Sequence, residues 1–72
     1  MEIKPIEDGW ELAFAGAFDR RDFHVREELG KWVLDEFDSA VKDSEDAHVS
    51  TTEHDSFEEA VKAAFDIVSR LS

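Results

Sequence analysis

Over residues 10–15, Trp10, Leu12 and Phe14 alternate with Glu11, Ala13 and Ala15. A repeat of two sends successive side chains to opposite faces, so the segment reads as a half-buried strand. Residues 1–6 read as a short strand before it, with Pro5 at an edge because proline cannot donate to a ladder. Asp8-Gly9 between them is a favoured hairpin turn pair. Gly16 and the polar run Asp19-Arg20-Arg21-Asp22 end the second strand. Alternation resumes over residues 23–27 and again from Lys31 to Leu34, with Leu29-Gly30 where a tight turn falls. A two-residue turn there pairs Val25 with Leu34 and Glu28 with Lys31. A helix competes for this region, since Leu29, Trp32, Val33, Phe37, Ala40 and Val41 also fit helical spacing. The hairpin is preferred, because the helix would carry Gly30 in its interior at about 1 kcal/mol.

Residues 38–47 form a polar, acidic connection with room for one helical turn at residues 39–42. Val49, Thr51 and Thr52 give residues 48–53 the β-branched character of a last strand. Ser56-Phe57-Glu58-Glu59 is a capping box, in which the serine hydroxyl accepts one orphan N–H and the second glutamate reaches back for another. Phe57, Ala60, Val61, Ala64, Phe65, Val68 and Leu71 then line one face of a helix ending near Leu71. A stripe of that kind needs a sheet to cover. The expectation is one α+β domain over residues 1–72: an antiparallel sheet of four to five strands with one C-terminal helix packed on one face. Its expected core is Trp10, Leu12, Phe14, Phe23, Val25, Leu34, Phe57, Val61, Phe65, Val68 and Leu71.

Charge changes the picture most. The chain carries −11, and residues 35–59 hold ten acids against the single base Lys42. Residues 1–34 net −3 (eight acids, five bases), and residues 60–72 net +1 (Lys62 and Arg70 against Asp66). Such a balance excludes direct binding to nucleic acid or to anionic membrane, both of which need a basic face. It points to a cationic partner. With no cysteine, disulfide staples and thiolate metal clusters are ruled out. No apolar run approaches the roughly 18 residues of a membrane span. The first residues lack the basic-then-apolar layout of a signal peptide. A cytoplasmic protein is expected.

Catalytic motifs are missing. The three histidines form no HxxxH or HExxH pattern, the three glycines are isolated, and the serines sit in acidic loops without a nucleophile elbow. No metal, cofactor or bond chemistry is expected. Trp10 and Trp32 lie in alternating segments and are read as core, and Arg20-Arg21 as loop charge offset by Asp19 and Asp22. Carboxylates at i and i+2 on a strand stand about 6.6 Å apart, of the order of the phosphate spacing along one DNA strand. Asp35, Glu36, Asp38, Asp43, Glu45, Asp46, Glu53 and Asp55 are therefore the candidate array, each acid a phosphate surrogate for a partner built to bind phosphates with Lys and Arg.

In its size, its lack of cysteine and its acidic 35–59 stretch, the chain resembles the small inhibitors that phages encode against host DNA-binding defence systems, the anti-CRISPR and anti-restriction proteins. The resemblance implies a target that is a nucleic-acid-binding effector, inhibition by occupation of its basic DNA site, and location in the host cytoplasm. The order of tryptophan-bearing hairpin, His/Thr strand and Ser-x-Glu-Glu-Ala helix also resembles several small strand–strand–helix domains of unknown function. Two other readings stay open: a salt-adapted domain from a halophile, and a small regulatory partner of a basic enzyme. An edge strand leaves homodimerisation open as well.

Overall fold

The computed structural model describes residues 1–14 and 21–71. They form five strands and two helices in the order β1 (Glu2–Ile6), β2 (Gly9–Ala13), β3 (Arg21–Glu28), β4 (Lys31–Asp38), α1 (Ser44–Ala47), β5 (His48–His54) and α2 (Phe57–Leu71). The sheet is an antiparallel meander, β1-β2-β3-β4-β5, so each strand pairs with its neighbour in sequence. This is the expected α+β architecture. Ala15, the Gly16 break, Asp19 and Arg20 lie outside the described residues.

Both early turns are two-residue hairpins. Ile6 pairs with Gly9, which puts Glu7-Asp8 at the centre of the first turn, one residue earlier than the Asp8-Gly9 expected. Gly9 has a different task. A Cβ there would stand 2.1 Å from the Val25 carbonyl oxygen, so only glycine lets β3 pass this close. The second hairpin has the expected register, Val25 opposite Leu34 and Glu28 opposite Lys31. Leu29 (φ 52°) and Gly30 (φ 80°) form its turn. Two consecutive positive φ angles match the twist of the flanking strands, which is why Asn-Gly is the favoured pair for such turns. Leu29 is 98% exposed, so no packing offsets its left-handed backbone.

The connection after β4 differs from expectation. Its helical turn lies at Ser44–Ala47, where Asp43 is the N-cap and accepts from the Glu45 N–H at 3.0 Å. Residues 39–42 carry no helix. The Asp38 carboxylate instead takes the Ala40 N–H at 3.0 Å in a local turn. β5 follows directly, with a shift of register between Glu36 and Phe37.

Helix α2 starts as its capping box requires. The Glu59 N–H donates to Ser56 Oγ at 3.1 Å, while the Glu59 carboxylate reaches back to the Asp55 N–H at 3.3 Å, one residue beyond the cap. Glu58 and Glu59 in the first turn and Arg70 in the last suit the helix dipole.

Between α2 and the sheet lies the core of Leu12, Phe14, Phe23, Val25, Leu34, Ala60, Ala64 and Val68. Ala60 and Ala64 are fully buried and let the helix sit close against the strands. At one end Trp10, Trp32 and Phe57 form an aromatic triad with centroids 5.4–5.6 Å apart. Two expected core residues are exposed. Phe65 (45% exposed) lies at the flank of the stripe and meets Phe14 edge-on, and Leu71 (48%) is the last residue of the helix. Val33, unexpected in the core, is buried on the opposite sheet face between its cross-strand partners Arg26 and Glu53.

The strain at the second hairpin is testable. Leu29→Asn retains the left-handed backbone at lower cost and removes no buried contact. The variant is expected to be more stable by about 1 kcal/mol, seen as a higher urea midpoint at unchanged slope.

Candidate partner-binding surface

Strand β4 carries the first three residues of the expected array, and its pleat separates them. Asp35 faces away from α2. Glu36 and Asp38 share the helix side with Trp32 and Leu34. Glu36 is only 6% exposed. Arg21 lies across from this pair, with Nε 3.0 Å from Glu36 and Nη1 3.2 Å from Asp38. The Nε–H is not aimed at the Glu36 oxygen, so that contact is an ion pair without a hydrogen bond. Ser50 completes the site by donating its hydroxyl to Glu36 at 3.1 Å. The i, i+2 spacing expected to imitate phosphates thus grips an arginine of the chain itself. Glu36 is withdrawn from any partner.

Asp35 is neutralised on the other face. It pairs with Arg26 and accepts the Thr51 hydroxyl at 2.6 Å. Partial burial works against the charge of Arg26, but the field of Asp35 and hydrogen bonds to Glu28 and Asp35 outweigh it and raise the pKa. With its hydroxyl proton committed to Asp35, Thr51 can only accept from His48, whose Nε2 lies 2.6 Å away. That ring nitrogen therefore carries the proton.

His48 belongs to a constellation that the sequence reading did not anticipate. The Phe37 ring lies between His24 (5.1 Å) and His48 (5.6 Å), with Glu11 beyond His24 at 3.6 Å and Asp35 3.7 Å from His48. The row crosses β2, β3, β4 and β5 on the sheet face that α2 leaves open. One signal was available: both histidines occupy alternating positions in strands. Only the pairing register brings them to Phe37. Among the described residues, no group of three or more histidines and carboxylates is placed to hold a metal ion.

The remaining acids stand in two groups. Asp43, Glu45 and Asp46 are exposed at α1, ahead of β5. At the other end of β5, Lys31 Nζ holds Asp55 at 2.5 Å, with Glu53 and Glu59 within its electrostatic reach. The hydrogen bond from Lys31 holds the Asp55 carboxyl below its usual range, and Asp55 raises Lys31 in return. The two groups lie toward opposite ends of the seven-residue β5, which is about 20 Å long. Among the described strands β5 pairs only with β4, which makes it a sheet edge with acids at both ends. No described helix is long and apolar enough to cross a membrane. Comparison with known protein families, with curated proteins and with solved structures finds no match.

Two measurements check these contacts. Arg21→Met strands the Glu36 carboxylate in the sheet–helix layer and is expected to cost on the order of 3 kcal/mol, most of it recovered by Arg21→Met with Glu36→Leu. For the exposed pair, the coupling of Lys31→Met and Asp55→Asn in a double-mutant cycle should be small and flat at neutral pH. The lowered Asp55 pKa contributes stability present above the unfolded-state value and lost as pH falls through the folded one, so the coupling fades below about pH 4. The raised Lys31 pKa contributes stability present below its unfolded value, so the coupling fades again above about pH 10.4.

Proposed function

We propose that this protein is a non-catalytic acidic binding protein, a DNA mimic that inhibits a nucleic-acid-binding effector by occupying its basic site. The observation that carries the reading is the β5 edge. Asp43, Glu45 and Asp46 are exposed at α1 just before it and Glu53 near its end, and none forms an ion pair within 4.0 Å with a described residue. Asp55 ends the row, its charge shared with Lys31. Anions fixed on a folded edge suit a partner that neutralises phosphates with lysine and arginine. Asp35, Glu36 and Asp38, already paired within the chain, take the part of scaffold in this reading. The contact surface narrows to the two ends of β5.

A salt-adapted domain is the second reading. It is favoured by exposed acids outside that edge, at Glu7 and Asp8 in the first turn and at Glu27 and Glu28 beside the second. Salt separates the two. A mimic folds in dilute buffer and loses its partner as salt rises, whereas a halophilic domain gains folded population with molar salt.

The test uses two baits on a column loaded with cell lysate: the native chain, and a variant with Glu45, Asp46 and Glu53 changed to lysine. The native bait is expected to retain nucleic-acid-binding proteins at about 0.1 M salt, release them at about 0.5 M, and surrender them to added duplex DNA. The variant, folded by circular dichroism, should retain none of them. Equal retention on both baits, or indifference to DNA, overturns the mimic reading. A native chain that folds only in molar salt decides for the second.

A further inference from the structure

The sheet has two edges, and they differ in charge. The β5 edge carries Glu53 with acids at either end, so a second copy brought alongside would face its own charge. On β1, Glu2 and Lys4 cancel, and the strand is exposed throughout. Met1 (52% exposed), Ile3 (44%) and Ile6 (38%) supply apolar surface there.

Hairpin geometry fixes which backbone groups are free on this edge. In a two-residue hairpin the pair flanking the turn exchanges hydrogen bonds, and bonded pairs alternate from there. Ile6–Gly9, Lys4–Glu11 and Glu2–Ala13 are thus the bonded pairs between β1 and β2. Ile3 and Pro5 point their peptide groups outward. Pro5 lacks an N–H, so it sits where a missing donor does not weaken the hairpin.

We propose that β1 is a homodimer interface, pairing antiparallel with the β1 of a second copy about a two-fold axis at Ile3. In that register Ile3 exchanges two hydrogen bonds with the partner's Ile3. Glu2 stands opposite the partner's Lys4, and by symmetry Lys4 opposite the partner's Glu2. Met1 lies beside the partner's Pro5, whose carbonyl accepts its N–H. Other registers fail on charge or on donors: centring on Lys4 opposes two lysines, and centring on Pro5 leaves no N–H at the axis. Glu2 and Lys4 already lie 3.3 Å apart within one strand, so dimerisation adds a second partner to each. The product is a continuous ten-stranded sheet with both α2 helices on the same face. This proposal stands apart from the partner reading above, because it uses the opposite edge and responds oppositely to salt. Screening weakens docking on a cationic partner but relieves the repulsion between two chains of −11 each.

Sedimentation equilibrium tests it on the full chain, up to about 1 mM protein, where even a weak dimer is substantially formed. The expected result is a dimer with twice the 8.2 kDa chain mass, tighter at about 0.3 M salt than in dilute buffer. Ile3→Lys places two charges at the axis and should leave a monomer with an unchanged circular dichroism spectrum. Glu2→Lys and Lys4→Glu should each weaken the dimer about tenfold, and the double exchange should restore it. If Ile3→Lys fails to fold, the charge exchange alone decides. A monomer at every concentration overturns the proposal, as does a dimer indifferent to these substitutions.

Discussion

The fold depends on how closely one helix can approach one sheet. Ala60 and Ala64 are fully buried and present almost no side chain, so the α2 backbone comes down onto Leu12, Phe23, Val25 and Leu34. A 72-residue domain buries a modest share of its surface, and a gap in this layer would have no second core among the described residues to offset it. The aromatic triad of Trp10, Trp32 and Phe57 closes one end of the layer, and Phe14 with Phe65 the flank. Apart from Glu36 and its partners Arg21 and Ser50, the charged side chains of the described residues are arranged around that sandwich.

Electrostatics follows from the same geometry. Strand β4 has to place a residue beneath α2 at every second position, and at Glu36 that residue is a carboxylate. Arg21 and Ser50 make its burial tolerable. On the open face Asp35 is answered by Arg26 and Thr51. Asp35 and Glu36 are therefore structural, and the acids left exposed lie at strand ends, in turns, on α1 and on the outer side of α2. A high negative charge and a stable fold coexist because the interior acids never face one another unpaired.

Local signals made the architecture legible. The Leu29-Gly30 turn and the alternation on either side were enough to place Val25 opposite Leu34, and Ser56 with Glu59 marked the start of α2. The site was read less well, because it depends on contacts distant in sequence. Strand alternation alone could have put Glu36 on the side of Leu34. That Arg21 waits there follows only from the β3–β4 register. The short helix was misplaced because Asp38 spends its carboxylate on a turn, leaving Asp43 to cap. Phe65 and Leu71 satisfied helical spacing, yet spacing cannot say how wide a stripe the sheet will cover. The row of His24, Phe37 and His48 needs two strand pairings, β3–β4 and β4–β5, before it exists.

The sequential order of the sheet has a kinetic consequence. Each hairpin can close on its own, since no strand waits for a distant segment to return and slot beside it. The longer β2–β3 and β4–β5 connections bring Trp10 to Val25 and Trp32 to His54, and the docking of α2 joins residues farther apart still. Neighbour-to-neighbour pairing keeps the contact order below that of a crossover topology of the same length and so lowers the entropic barrier relative to it. The chain can therefore assemble quickly after synthesis, with little time spent showing an unpaired apolar strand to its neighbours.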